Sequence, residues 1–149
     1  MSSLVEFLRA GVMTGSAEGT REVAAELAGV LPPDVALALH GDLGVGKTTF
    51  VQGLAAGFGI EQPVTSPTFT LCRFYRSARP AGRTLAHLDA YRLEDAAQVE
   101  TLLLEDFLIS PYCLAVEWPD RIAAWMPRDT WHFELGIMPD ARHTIQLRG

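Results

Sequence analysis

The run Gly41-Asp42-Leu43-Gly44-Val45-Gly46-Lys47-Thr48 holds the residue types and spacing with the most direct chemical meaning in this chain. Gly41, Gly44 and Gly46 admit positive φ and close backbone approach, so that successive N–H groups turn inward around phosphate oxygens. Lys47 is placed to reach the β- and γ-phosphates of a nucleoside triphosphate, and the Thr48 hydroxyl to hold Mg²⁺. Thr49 supports the α-phosphate, while Asp42, Leu43 and Val45 complete the cradle through their backbone. A metal bound to a triphosphate also needs acidic partners, and in α/β sheets ligands collect at the carboxyl ends of strands. Two carboxylates qualify: Asp89, after Thr84-Leu85-Ala86-His87-Leu88, and Glu117, after Leu114-Ala115-Val116. Each is read as metal-associated, directly or through water, and the sequence leaves open which stands closer.

The elements that must position these residues follow from apolar periodicity. Val35-Ala36-Leu37-Ala38-Leu39 is a continuous apolar run, the pattern of a parallel strand covered on both faces. The glycine loop follows directly. From Lys47 onward Phe50, Leu54 and Phe58 recur four apart, with Val51 and Ala55 beside them and Gly59 as a C-terminal cap. Strand, loop and helix therefore stand in the order that the motif requires. Upstream, Val23, Leu27, Val30 and Leu31 give a helix stopped by Pro32-Pro33. Downstream, strands are expected over 68–75, 84–89 and 112–116, and a helix over 95–104. A short helix near 122–125 then precedes two strands, 131–137 and 142–147, joined as a hairpin.

His87 lies two residues before Asp89 and shares its face on a strand, which predicts a buried, hydrogen-bonded histidine. Trp118 and Trp125 are read as core residues in preference to platforms for a base. Glu94, Asp95, Glu100, Glu105 and Asp106 form a solvated face, of which one or two residues would serve a partner. Alternating strands and helices predict an α/β fold, a P-loop-type three-layer sandwich with a mostly parallel central sheet and antiparallel strands at its C-terminal end. Its 149 residues suit one domain spanning the whole chain.

Composition narrows the function. Twelve Lys and Arg against eighteen Asp and Glu leave a formal charge of −6, which opposes broad attraction to nucleic acid or an anionic membrane. The two cysteines, Cys72 and Cys113, lack the spacing of a zinc site or a disulfide scaffold and read as buried thiols. No apolar stretch approaches the roughly 20 residues needed to span a bilayer, and the expected location is cytoplasmic. A glycine loop alone supports a kinase, a GTPase, an ATPase or a silent nucleotide-binding module. The absence of an Asn/Thr-Lys-x-Asp element disfavours a common GTPase. Arg76, Arg79 and Arg83 would serve a small-molecule kinase as a lid, or form an ordinary surface loop.

Taken together, the blocks resemble one family, the small ATPases of tRNA threonylcarbamoyladenosine biosynthesis known as TsaE or YjeE. The resemblance runs over most of the chain. It rests on Thr20, on residues 41–50 ending Lys47-Thr48-Thr49-Phe50, on Thr65-Ser66-Pro67-Thr68-Phe69-Thr70-Leu71, on His87-Leu88-Asp89-Ala90-Tyr91-Arg92-Leu93, and on Val116-Glu117-Trp118-Pro119. It implies weak ATP hydrolysis by the isolated chain and work with two partner proteins, which transfer the threonylcarbamoyl group to the adenosine beside the anticodon and meet the tRNA. ATP and Mg²⁺ are the implied cofactors. Thr48 and Glu117 become the magnesium pair, with Asp89 near the metal or the attacking water, and with Lys47 they form the implied catalytic group. Ser66-Pro67-Thr68 becomes a switch-like element near the γ-phosphate, Thr20 lies by the adenine, and Tyr91 and Arg92 position Asp89 or meet a partner. The chain departs from the family pattern at Val45, Ala90 and Leu103.

Overall fold

A computed structural model describes residues 3–42, 45–65, 72–100, 102 and 104–148. Seven strands form one sheet in the order β1-β7-β6-β2-β5-β4-β3, comprising β1 (Val12–Thr14), β2 (Val35–His40), β3 (Cys72–Arg76), β4 (Thr84–Asp89), β5 (Tyr112–Glu117), β6 (Trp131–Ile137) and β7 (His143–Arg148). The four central strands β6, β2, β5 and β4 run parallel. Antiparallel strands close both edges: β7 and β1 on one side, β3 on the other. The helices are α1 (Ser3–Ala10), α2 (Ala17–Ala28), α3 (Lys47–Gly57) and α4 (Ala96–Glu100), with 3-10 turns at Leu104–Asp106 and Pro119–Ile122.

Strand alternation divides the core into two layers. Val35, Leu37 and Leu39 of β2, Leu85 of β4 and Cys113 and Ala115 of β5 pack with Leu27, Phe50, Val51 and Leu54 of α2 and α3. The alternate residues Ala36, Ala86, Leu88, Leu114 and Val116 face Leu93, Val99, Leu104 and Ile122 on the other side. Helix, sheet and a second helical layer give the expected three-layer α/β sandwich. Because residues two apart share a face, Leu85, His87 and Asp89 lie on the α3 side, as do Cys113, Ala115 and Glu117.

Helix α2 starts at Ser16, whose hydroxyl accepts from the Gly19 N–H, and packs closely on α3. A Cβ on Gly57 would stand 2.6 Å from both the Ala25 carbonyl oxygen and the Ala28 Cβ, so the approach depends on that glycine.

Several expectations shift. α1 and β1 were not foreseen. The helix expected over 95–104 is a five-residue helix, Ala96–Glu100, followed by a 3-10 turn. The segment expected as a helix near 122–125 is a 3-10 turn over Pro119–Ile122. The strand expected over 68–75 is described as Cys72–Arg76, and residues 66–71 lie outside the described residues. Cys113 is buried as expected, but Cys72 is only half-buried; burial pushes both thiols up to about 12. Among the described residues no helix is long and apolar enough to cross a membrane.

Candidate nucleotide site

The site is assembled where β2 ends and α3 begins. Gly41 has φ of +145° and Gly46 has φ of +98°, values that a side chain would strain. A Cβ on Gly41 would also collide with the Leu135 carbonyl and come within 2.7 Å of Val45 Cγ2, so β6 presses directly on the loop. From β7, His143 Nδ1 meets the Val45 carbonyl at 3.2 Å and donates to it. Gly46 then serves as N-cap of α3 without a side-chain cap, so the helix presents its N-terminal dipole end to whatever fills the loop. Leu43 and Gly44 lie outside the described residues.

Lys47 and Thr48 occupy the first turn. Lys47 is 5% exposed; its Nζ donates to the Gly41 carbonyl at 2.7 Å and lies 3.6 Å from the centre of the Trp118 ring. Burial pulls its ammonium below the usual lysine value, while Glu117, Asp89 and Asp42 oppose that shift. A buried ammonium at the N-terminal end of α3 suits the binding of polyphosphate, whereas the carboxylates near it require a cation between themselves and the phosphates. Thr48 Oγ1 donates to Glu117 Oε2 at 3.4 Å.

The carboxylates come from neighbouring strands. β4 and β5 pair so that Asp89 is directly opposite Glu117, and the Ala90 N–H donates to the Glu117 carbonyl at 3.0 Å. Glu117 is buried, and His87 Nε2 reaches its Oε2 at 2.5 Å. His87 is thus the buried, hydrogen-bonded histidine that its spacing predicts. Asp89 Oδ1 accepts from the Tyr91 N–H at 3.0 Å, which turns the chain away from the strand end.

The structure brings Val45, Gly46, Lys47, Thr48, Asp89 and Glu117 to one end of the sheet, with Asp42 close enough to bias Lys47 and Thr49 one residue further along α3. Thr20 is buried on α2, with its Oγ1 2.7 Å from Thr14 Oγ1. Ser66, Pro67, Thr68 and Leu103 lie outside the described residues.

Sequence reasoning missed two contributors. Trp118, expected in the core, is half-buried with φ of +57°, and its ring meets both Lys47 and Tyr91, the latter at 5.1 Å between centroids. Its place directly after Glu117 was the available signal. The tie from His143 to the loop had none, because it depends on how β7 lies across the sheet. The arginine loop is also resolved. Arg79 donates to the Gly57 carbonyl at 3.0 Å, and Arg83 donates to the carbonyls of Pro32 at 2.7 Å and Leu31 at 2.8 Å. Both therefore clamp the C-terminal end of α3 and the segment before β2. That end lies roughly 15 Å from the glycine loop, given about 1.5 Å rise per residue.

A divalent cation can be tested against this donor set. Among the described residues no group of three His, Cys, Asp or Glu is placed to hold a metal by itself. Mg²⁺, however, is commonly held by one or two carboxylates with substrate phosphates and water making up the rest. A hydroxyl and a carboxylate converging at 3.4 Å, with a second carboxylate on the adjacent strand, supply the hard oxygen donors that such an ion takes.

Comparison with known proteins extends this picture. The model of the family described as threonylcarbamoyl adenosine biosynthesis protein TsaE matches residues 14–144. A tRNA threonylcarbamoyladenosine biosynthesis protein TsaE from Treponema pallidum is 34% identical over 133 residues, covering 89% of this chain and 95% of the relative. The Bacillus subtilis protein of the same name is 38% identical over 116 residues, covering 78% and 70%. The crystal structure of Bacillus subtilis YdiB superposes with a TM-score of 0.73 at 31% identity, covering 92% of this chain and 82% of that one.

Proposed function

Because the chain belongs to the TsaE family, a family of P-loop nucleotide-binding proteins, we propose that it is the Mg²⁺-dependent ATPase subunit of tRNA threonylcarbamoyladenosine biosynthesis. The observation that carries this reading is the convergence of Lys47, Thr48 and Glu117 on the first turn of α3, within the stretch matched by the family model.

The residues divide the work. Backbone N–H groups of the glycine loop and α3 bind the phosphates, and Lys47 adds a positive charge that turns from the Gly41 carbonyl toward the β- and γ-oxygens. Thr48 and Glu117 would hold Mg²⁺, directly or through water, and the ion would supply charge neutralisation to the triphosphate. Asp89, at the neighbouring strand end, orients water for attack on the γ-phosphorus and takes up its proton. Thr20 flanks the adenine and Thr49 the α-phosphate.

Turnover by the isolated chain is slow in this reading, and its use is to drive two partner proteins that transfer the threonylcarbamoyl group to the adenosine beside the anticodon. A formal charge of −6 fits a subunit that meets tRNA through those partners. The whole chain acts as one cytoplasmic domain. A small-molecule kinase loses support, since Arg79 is spent on the Gly57 carbonyl at the far end of α3 and Arg83 on the carbonyls of Leu31 and Pro32 before β2. ATP turnover measured with and without the partners and tRNA tests the assignment. Stimulation by the complex is expected; turnover indifferent to it, with phosphate transfer to a metabolite, would overturn the reading.

A further inference from the structure

Resting on the reading of this site as a Mg²⁺–ATP site, we propose that His87 is the positioning residue for Glu117, fixing the carboxylate that meets the metal. His87 is fully buried on β4. Its Nε2 lies 2.5 Å from Glu117 Oε2, whereas its buried Nδ1 has no hydrogen-bond partner among the described residues. A carboxylate only accepts, so the hydrogen of this contact sits on Nε2.

The ring therefore donates to Glu117 Oε2 and holds that oxygen in place. Arginine or lysine at the same place would pair with the carboxylate and cancel it. The ring's polar contact is made to the oxygen that also faces Thr48 Oγ1 at 3.4 Å. Glu117 has three side-chain torsions, and this grip holds its charge toward the first turn of α3. Mg²⁺ demands near-ideal octahedral geometry, so freedom in that carboxylate would weaken metal association more than nucleotide binding.

The test compares the wild-type chain with His87→Asn and His87→Gln. Glutamine carries an amide nitrogen near the Nε2 position and restores the donor, while asparagine is too short to reach Glu117. Binding of a fluorescent ATP analogue is measured in EDTA and then across a Mg²⁺ titration, with Glu117→Gln as reference. Metal-free affinity is expected to stay within about twofold in both His87 variants, which also reports an intact fold. The half-saturating Mg²⁺ concentration should rise about tenfold in His87→Asn and return close to wild type in His87→Gln. A Mg²⁺ requirement unchanged in His87→Asn but raised in Glu117→Gln would overturn the role of His87 alone. Equal loss of metal-free affinity in both His87 variants would make the residue merely structural. Wild-type binding indifferent to Mg²⁺ would overturn the metal-site reading and this proposal with it.

Discussion

Lys47 and Trp118 form a cation–π pair across the mouth of the glycine loop, with Nζ 3.6 Å from the ring centre. The ammonium must give up part of this contact, and its hydrogen bond to Gly41, to meet phosphate. Such pairs contribute roughly 0.5–2 kcal/mol depending on desolvation. Trp118→Leu is therefore expected to tighten triphosphate binding, about 2- to 30-fold, by removing a competitor for Lys47. Calorimetric titration with a non-hydrolysable ATP analogue checks this; weakened binding would show that the ring helps to hold the nucleotide.

Asp89 and Glu117 are opposite one another in register but are assigned different work. Asp89→Asn should retain nucleotide and Mg²⁺ binding while lowering turnover by about 10²- to 10⁴-fold, the range for loss of a general base. Glu117→Gln should still accept the hydrogen bond from His87 yet lose the charge, so its defect appears first as a raised Mg²⁺ requirement. Separate titrations of nucleotide and metal distinguish the two; an exchange of phenotypes would exchange the roles.

The α2–α3 contact is open to a stability test. Gly57→Ala would press a methyl group into the Ala25 carbonyl and Ala28 Cβ and is expected to cost about 1–3 kcal/mol in urea unfolding. Gly15→Ala, where an added Cβ meets nothing within 4 Å, serves as the near-neutral control. Equal stability of the two variants would show that the helices separate at little cost.

His40 links the end of β2 to acid stability. Its Nε2 lies 2.9 Å from His132 Nδ1, and burial pulls its pKa below the usual histidine value, with Asp120 and Glu134 opposing. The unfolded chain therefore takes up a proton at higher pH than the folded one. This contribution to stability is intact above the unfolded-state value of about 6.5 and is lost as pH falls from there toward the folded-state value. His40→Gln should flatten the fall in thermal midpoint between about pH 7 and 5. An unchanged acid limb would assign that fall to other groups.

The legible parts of this molecule were those written in adjacent residues. The run from Val35 to Leu39, the glycine loop and the four-residue spacing of Phe50, Leu54 and Phe58 gave strand, cradle and helix in their observed order. Both acidic strand ends were legible too, but not that Asp89 and Glu117 would be neighbours, because the order β5-β4 is a choice made by the whole sheet. α1 escaped notice because an eight-residue helix owes its stability to tertiary packing, here through the fully buried Leu8. β1 is only three residues long and exists by pairing with β7. Trp118 was misread because core and site both suit a tryptophan, and only its left-handed backbone and the approach of Lys47 separate them.

If Lys47, Thr48 and Glu117 form a Mg²⁺–ATP site whose turnover serves tRNA modification, reconstitution of threonylcarbamoyladenosine formation on tRNA with the two partner proteins, ATP and Mg²⁺ will separate the wild-type chain from Glu117→Gln. Repeated rounds of modification with the wild type, and their loss in a Glu117→Gln chain that still binds nucleotide, are the predicted result. Undiminished modification by Glu117→Gln, or by the system without this chain, would contradict it.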